Sequence, residues 1–599
     1  MEKKKQEALV VVGIDFGTTY SGYGYSFRDE YKNDHSKIFS NTDWKSGDGL
    51  VTTKTPTVIL FDENGKFQSF GYEAEEAYTR LLEDGKADGY SYFSCFKMKL
   101  FQDEDSKELV HPRLKGKTTI SRNLILEDAN GHTMNAMKVF SESIKYLKDH
   151  FEEKIESVKH VVETDIHWVL TVPAIWKDNA KQFMREAAQQ AGIDPELLTL
   201  AYEPEAAAIY CKEYAVQKNE GAEGSNLQSF EHGQKFLVLD CGGGTIDVTS
   251  YEIQKNSELK ELHIPSGGPW GGTCIDREYL AFLENLFGRD VWSEFIKQNP
   301  EDLLEIKRKF EAKKRGLKAK PTEATIPYPP SLFKIYIEKR QAKSIQEGIE
   351  KSRYSQTIKV VKDKFRFDPE IMKQFFKKTT DSIIAHVKDI LVKNKRPGGD
   401  IATILMVGGF SDSPLLYKRV KSEFPKLSVI CPSDAVAAVL KGAVMYGHNP
   451  ELISERICAR TYGISVSAHF DDRIHPSNLK KFSNGRYVCT DVFKVMVRLG
   501  EPLIVGKSNF ELTCAPNQAF DTVANVEVYE SSNENPMYAI RDKDVKRLGV
   551  LTVPMSDIAG GYIRRIKIKM HFGYTELFVT ASEEGTNRKA EAKFNCLLK

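Results

Sequence analysis

Two glycine-rich turns of one design lie far apart in this chain, and their pairing constrains the fold more than any other feature. The first is Val11-Val12-Gly13-Ile14-Asp15-Phe16-Gly17-Thr18-Thr19 and the second is Leu237-Val238-Leu239-Asp240-Cys241-Gly242-Gly243-Gly244-Thr245-Ile246-Asp247. In each, an apolar β-branched run reads as a buried strand that carries an Asp to its C-terminal end. Glycines then allow a turn whose backbone N–H groups can face a phosphate. Thr18, Thr19 and Thr245 add hydroxyl donors. One such turn could equally be a plain hairpin. Two copies with the same Asp-x-Gly order fit a nucleotide clamped between half-domains, with two turns on its phosphates and two carboxylates on a hydrated cation.

A chain of 599 residues exceeds what a single core supports, so several domains are expected. Its 85 Lys+Arg against 84 Asp+Glu give a net charge of +1, too little to draw it to nucleic acid or anionic lipid. Met1-Glu2-Lys3-Lys4-Lys5 carries no signal-peptide apolar segment, and the longest apolar run, near Ala8 to Val12, is too short to span a membrane. A cytoplasmic location is the expectation. The nine cysteines are scattered without any Cys-x-x-Cys, which speaks for reduced thiols rather than disulfides or structural zinc.

Gly22 to Phe27 alternates like the return strand of a hairpin, and the polar stretch Asp29 to Thr55 reads as an insertion loop. Helical spacing runs from Asn135 to Val161, His167 to Pro173 is a strand stopped by proline, and Asn179 to Gly192 is a helix with a C-cap glycine. Lys212 to Gln234, poor in apolar residues, reads as a loop outside any core. Helices are expected over Glu301 to Lys320 and Pro369 to Asn394, with Pro321 to Pro330 as a connection between them. A third buried strand ends in Val407-Gly408-Gly409-Phe410. Repeated β/α units with glycines at strand ends predict a two-lobed, doubly wound α/β region over residues 8–448.

Residues 449–459 read as a linker, and beyond it strand-like alternation dominates, as in Asn525 to Tyr529, Ile563 to Met570 and Glu576 to Ala581. A β-sandwich over residues 460–599 is the expectation. No long amphipathic helix follows, so a helical lid is not expected.

Five ordered motifs now carry a resemblance. Val12 to Ser21, Val172-Pro173-Ala174, Glu203-Pro204-Glu205-Ala206-Ala207-Ala208, Leu239 to Val248 and Val407 to Phe410 resemble the ATPase motifs of the seventy-kilodalton heat-shock proteins. Phe96-Lys97-Met98-Lys99-Leu100, Gly267-Gly268-Pro269-Trp270-Gly271 and Leu440-Lys441-Gly442-Ala443-Val444 resemble the divergent heat shock 70 kDa protein 12 branch. The resemblance covers nearly the whole chain. It implies the actin and hexokinase type of ATPase, a duplicated ribonuclease-H-like fold, followed by a peptide-binding β domain. It further implies ATP or ADP, Mg²⁺ and K⁺ as bound groups, and a chaperone role in the stress response.

Residue by residue, Asp15 and Asp240 match the carboxylates that hold Mg²⁺ through water. Lys97 matches the catalytic lysine, with Lys99 as its rival, Glu203 the carboxylate that orients water, and Thr245 the hydroxyl beside the γ-phosphate. Asp247 and Tyr20 match residues near monovalent-cation sites. Gly17, Thr18, Thr19, Gly242, Gly243, Gly244, Gly271, Gly272, Gly408 and Gly409 match phosphate and nucleoside turns, and Glu311, Lys314 and Arg315 match the charged residues facing base and ribose. Pro173 and Lys181 match the interdomain switch, where the family has Arg in place of Lys181. Asp412 stands where the family packs an Arg on adenine, so either Phe410 or Arg315 takes over that packing. Thr199 replaces an arginine used by J-domain partners, so a J-domain co-chaperone is not expected to dock in the family's way.

The linker sequence Glu451-Leu452-Ile453-Ser454-Glu455-Arg456-Ile457 is interrupted by charges where the family's is acidic and leucine-rich. Weak coupling between the domains is the expectation. Two functions remain open: an ATP-hydrolysing, chaperone-like protein that holds exposed apolar peptide or a specific client, and a nucleotide-gated scaffold with negligible turnover. A sugar kinase of the same superfamily is a third, for which the C-terminal β domain has no place.

Overall fold

The computed structural model describes residues 2–45, 51–101, 120–128, 130–214, 231–317, 323–393, 400–483, 485–516, 518–555, 558, 560–572, 575, 577–584 and 589–593. The middle of the Lys212–Gln234 loop, the first part of the Pro321–Pro330 connection and the end of the region read as a β-sandwich fall outside those residues.

Two sheets repeat one pattern. In the first, Val10–Phe16 pairs antiparallel with its hairpin return Tyr20–Phe27 and parallel with Ile166–Val172, which pairs parallel with Leu198–Tyr202. In the second, Lys235–Cys241 pairs antiparallel with Ile246–Ile253 and parallel with Thr403–Val407, which pairs parallel with Ser428–Ile430. The central strands are buried along nearly their whole length because helices cover both faces, which explains their continuous apolar runs. Asp15 and Asp240 hold equivalent places near the C-terminal ends of the two central strands. Between the sheets, Glu203–Tyr214 packs against Ala435–His448, and Val11, Val169, Ala206, Val238, Leu405 and Ala443 share one apolar cluster there.

Within the α/β region three longer segments depart from the sequence expectation, and the start of the Lys212–Gln234 loop belongs to the helix Glu203–Tyr214. The described residues of Asp29–Thr55 are more ordered than a loop: Arg28–Asn33 is a helix, Phe39–Ser40 and Thr55–Pro56 pair with the Tyr20–Phe27 strand, and Tyr31 and Trp44 are buried. Two aromatic anchors pin a polar stretch that hydropathy alone leaves loose. The helix expected over Glu301 to Lys320 spans Pro300–Arg315 and is capped at Gly316. Ala324–Pro327, expected as connection, is a strand paired with Lys364–Phe367, with Ala324 and Ile326 buried.

Toward the C-terminus lie a five-stranded sheet, in the order Lys480–Ser483, Arg486–Val497, Thr461–His469, Val523–Ser531, Val545–Pro554, and a four-stranded one, Asn509–Cys514, Ile566–Phe572, Leu577–Glu583, Lys589–Lys593. All pairings within them are antiparallel. Tyr462, Val497, Val528 and Leu551 of the first meet Ile568, Met570 and Val579 of the second in one apolar cluster. Burial alternates along Ile566–Phe572, as expected for a sheet with one face inward.

The segment between the α/β lobes and these sheets is itself a strand. Ile453–Ile457 pairs parallel with Leu259–Gly268 at the edge of the second lobe's sheet, and Pro502–Ile504 adds to its other side. Of the charges that interrupt its sequence, Arg456 is buried and Glu455 half-buried, and both are paired. Arg456 donates from Nε to Glu205 Oε1 at 2.6 Å and from Nη2 to Oε2 at 2.5 Å, with Tyr446 Oη 3.3 Å away. Glu455 meets Lys260 at 2.8 Å, and the Ile457 N–H donates to Glu261 Oε2 at 2.8 Å.

Glu261 is fully enclosed there, and its Oε1 has no hydrogen-bond partner. Burial, and then the Glu205 carboxylate, push it up to about 8. An unfolded Glu titrates near 4.3, so between that pH and about 8 the folded chain holds the extra proton, and stability falls as pH rises through this window. We therefore expect the melting temperature to drop from pH 6 to pH 8.5, and the drop to be smaller in Glu261→Gln. Equal slopes in thermal melts of the two proteins would refute this.

Candidate nucleotide site

The two glycine turns face each other across the cleft. A Cβ on Gly243 would lie 2.3 Å from Thr19 Oγ1, and one on Gly244 would lie 2.6 Å from Thr18 Oγ1 and 2.3 Å from Met98 Sδ. Backbone bonds lock the next turn on top: Gly271 N–H donates to Gly244 O, Gly272 N–H to Gly242 O and Thr273 N–H to Gly243 O, at 2.9 to 3.1 Å. The third glycine turn joins them, since Phe410 N–H donates to Cys241 O at 2.9 Å and Gly408, at φ +83°, sits against Asp240.

Around these turns are four carboxylates. Asp15 accepts from Thr171 Oγ1 at 3.3 Å and from Lys54 Nζ at 2.5 Å. Glu203 opens the helix Glu203–Tyr214 and accepts from Lys97 Nζ at 2.6 Å. Lys97 is 2 % exposed and lies over the Trp176 ring, its ammonium 5.2 Å from the centroid. Asp247 accepts the Ile175 N–H at 3.1 Å. Burial raises the Glu203 and Asp247 carboxyls, Asp247 to about 7, and raises Asp240 well above the carboxylate range, with the neighbouring carboxylates adding to each rise. The Thr245 hydroxyl bonds Asp247 and opposes that group's rise.

Burial together with mutual repulsion makes this a site where an added positive charge would be favoured. Among the described residues no three His, Cys, Asp or Glu converge as direct ligands. Asp15, Asp240 and Glu203 are the residues of this set that could hold a hydrated Mg²⁺.

The charged helix face expected to meet base and ribose also reaches the cleft. Lys314 is buried, donates to Gly272 O at 3.2 Å and pairs with Asp276 at 2.7 Å and Glu311 at 2.5 Å. Arg315 pairs with Glu311 at 2.7 Å and stacks on Tyr20 of the opposite lobe, 4.6 Å from the ring centroid. Phe410, in contrast, is 7 % exposed in the second lobe's core beside Phe376, which leaves it little surface to offer a base. A Cβ on Gly409 would meet no heavy atom within 4 Å.

Pro173 leads into a segment that touches both the cleft and the C-terminal sheets. Ile175 binds Asp247, while Lys181 bonds Asp178 at 2.6 Å and Tyr202 Oη at 3.1 Å, and Tyr462 Oη donates to Asp178 at 3.0 Å. Thr575 Oγ1 donates to Leu200 O at 2.9 Å on the same lobe. Thr199 is buried, and its hydroxyl is bonded by Lys5 Nζ and His167 Nε2, each at 2.8 Å.

Sequence reasoning missed Lys54, Trp176 and the Glu205–Arg456 pair. Glu205 lay inside a quoted motif, but its partner stands 251 residues away and no local pattern joins them. Lys54 lay in a polar stretch where a lysine carries no signal.

A family model described as Hsp70 protein matches residues 11–484. Human heat shock 70 kDa protein 12A is 31% identical over 99% of this chain and 92% of its own length, and the mouse protein 12A matches to the same extent. Human heat shock 70 kDa protein 12B is 32% identical over 98% of this chain and 91% of its own length.

Proposed function

The chain belongs to the Hsp70 family, and from that premise we propose that it clamps Mg·ATP between its lobes, hydrolyses it slowly, and lets the nucleotide state adjust how the C-terminal β domain holds exposed apolar peptide or one specific client. The observation that carries this reading is the meeting of Thr18 and Thr19 with Gly243 and Gly244 across the cleft, amid Asp15, Glu203, Asp240 and Lys97.

Bound Mg²⁺ would neutralise charge on the phosphates and position water through Asp15, Asp240 and Glu203. Lys97 is held by Glu203 out of bulk solvent, where an ammonium counts for more against developing phosphoryl charge than it would in water. Glu203, raised by burial, orients the attacking water. Thr245 takes the place beside the γ-phosphate, and Asp247 with Tyr20 the monovalent-cation positions. Arg315, stacked on Tyr20 and more accessible than Phe410, is the residue we assign to adenine packing.

The two C-terminal sheets, read as a sandwich, carry Phe482, Tyr487, Met537 and Ile540 exposed, which suits binding of apolar segments. Against the weak coupling expected from the sequence stands one feature of the linker strand, the buried Arg456–Glu205 pair, which ties it to the first lobe. The scaffold reading is favoured by Asp412 in place of the adenine-packing Arg.

Calorimetric titration with ATP and ADP, with and without Mg²⁺, followed by a phosphate-release assay, tests the proposal; no heat from either nucleotide would overturn it. A Cβ on Gly271 would lie 2.5 Å from the backbone of Gly243, so Gly271→Ala must push the phosphate turn out of place. ATP affinity should fall about tenfold or more, the loss of one or two good hydrogen bonds to phosphate. Unchanged affinity in this variant would remove the clamp.

A further inference from the structure

We propose that Lys54 is a built-in counter-cation of the nucleotide site, its ammonium standing on Asp15 in place of part of the metal's charge, so that a nucleoside di- or triphosphate is held with a reduced need for divalent metal. This rests on the nucleotide reading above and adds to it a residue outside every motif.

Lys54 is delivered by design of the local backbone. It sits in the turn between Val51–Thr52 and Thr55–Pro56, and the latter pairs with Tyr20 and Ser21. Thr52 Oγ1 donates to Lys54 O at 2.8 Å and steadies that turn. Gly22 stands opposite Asp15 in the hairpin register. A Cβ on Gly22 would come within 3.0 Å of Lys54 Cγ and 2.7 Å of Thr53 O, so the missing side chain is the passage through which the lysine stem reaches the carboxylate. The result is a 2.5 Å contact between side chains only 13% and 7% exposed.

The charge pattern gives the contact its consequence. In the first lobe each acidic group has its own ammonium, Lys54 on Asp15 and Lys97 on Glu203. Among the described residues no ion pair joins Asp240 or Asp247 of the second lobe to a basic side chain, and Asp247 is held instead by the Ile175 N–H. A phosphate entering the cleft meets one fixed positive charge before any metal arrives. A metal approaching Asp15 must share that carboxylate with the ammonium.

The test uses the full-length protein and its Lys54→Met variant, which keeps the stem and removes the charge. Titrated with Mn²⁺ alone, the variant should bind about tenfold tighter or more, because a unit charge within a few ångströms of the competing ion is gone. In EDTA, ADP affinity should fall about tenfold or more relative to wild type, and the gap should narrow in saturating Mg²⁺. A lower melting temperature with unchanged Mn²⁺ and metal-free ADP affinities would make Lys54 a structural ion pair and overturn the proposal. Lys54→Gln gives the same readout should the Met variant fail to melt cooperatively. If wild type binds no nucleotide under any condition, the ATP reading falls, while the Mn²⁺ titration still decides whether Lys54 competes for Asp15.

Discussion

Arg456→Ala is expected to lower unfolding stability by about 3–5 kcal/mol, the usual cost of leaving one member of a buried ion pair without its partner. The guanidinium holds Glu205 in a two-bond fork, and Glu205 is 1% exposed, so water cannot replace what is lost. A second carboxyl offers no relief: Glu261 is enclosed beside Glu205, and burial and then Glu205 raise it to about 8, so near neutral pH it holds its proton. Removing the arginine leaves the Glu205 carboxylate enclosed without its partner. The effect should be local in kind as well as large. Ile453–Ile457 pairs with Leu259–Gly268 at only a few positions, so the strand should detach before the lobes melt. Protease cleavage near Ser454 at temperatures below the main transition, together with the shift in denaturant midpoint, would read this out. Arg456→Met, tested with Glu205→Leu, should recover much of the loss, because an apolar pair of similar volume needs no countercharge. A shift below 1 kcal/mol for Arg456→Ala would mean that the linker strand is held by its backbone alone.

That pair also shows where sequence stops informing. The glycine turns are legible because strand, carboxylate and turn are contiguous: Val11 to Thr19 and Leu237 to Asp247 each fold through local register, and the structure pairs each with its own hairpin return. Lys97 is legible through its resemblance, and burial against Glu203 favours it over Lys99 as the residue at the site. What fails is the inference from composition to environment. Charges in Ser454-Glu455-Arg456 suggest a solvated, loosely held linker, yet Arg456 and Glu455 are satisfied by Glu205 and Lys260, partners remote in sequence. The polar stretch before Pro56 hides Lys54 in the same way. Both cases have one physical cause: a buried ion pair is specified by two distant positions at once, and neither position alone differs from an ordinary surface charge.

Lys97→Ala is expected to reduce ATP turnover on the order of 10²-fold while changing nucleotide affinity far less, since the loss of one preorganised charge falls mainly on the transition state. The geometry explains why the effect should be kinetic. Lys97 is fixed from two sides, by the Glu203 carboxylate at 2.6 Å and by the Trp176 ring, so it needs no reorganisation as charge develops on the phosphoryl group. Glu203 is the necessary control. In Lys97→Ala that carboxylate loses its ammonium in an enclosed site already crowded by Asp15 and Asp240, which favours its protonated form and weakens its hold on water. Part of the Lys97→Ala defect is thus routed through Glu203. Glu203→Gln alone should slow turnover as well, and the double variant should be less impaired than the product of the two, as for residues acting as one unit. Single-turnover phosphate release with saturating Mg·ATP separates these cases. Full activity in Lys97→Ala would move the role to Lys99, and independent, multiplicative losses would show that the ion pair is not the catalytic unit.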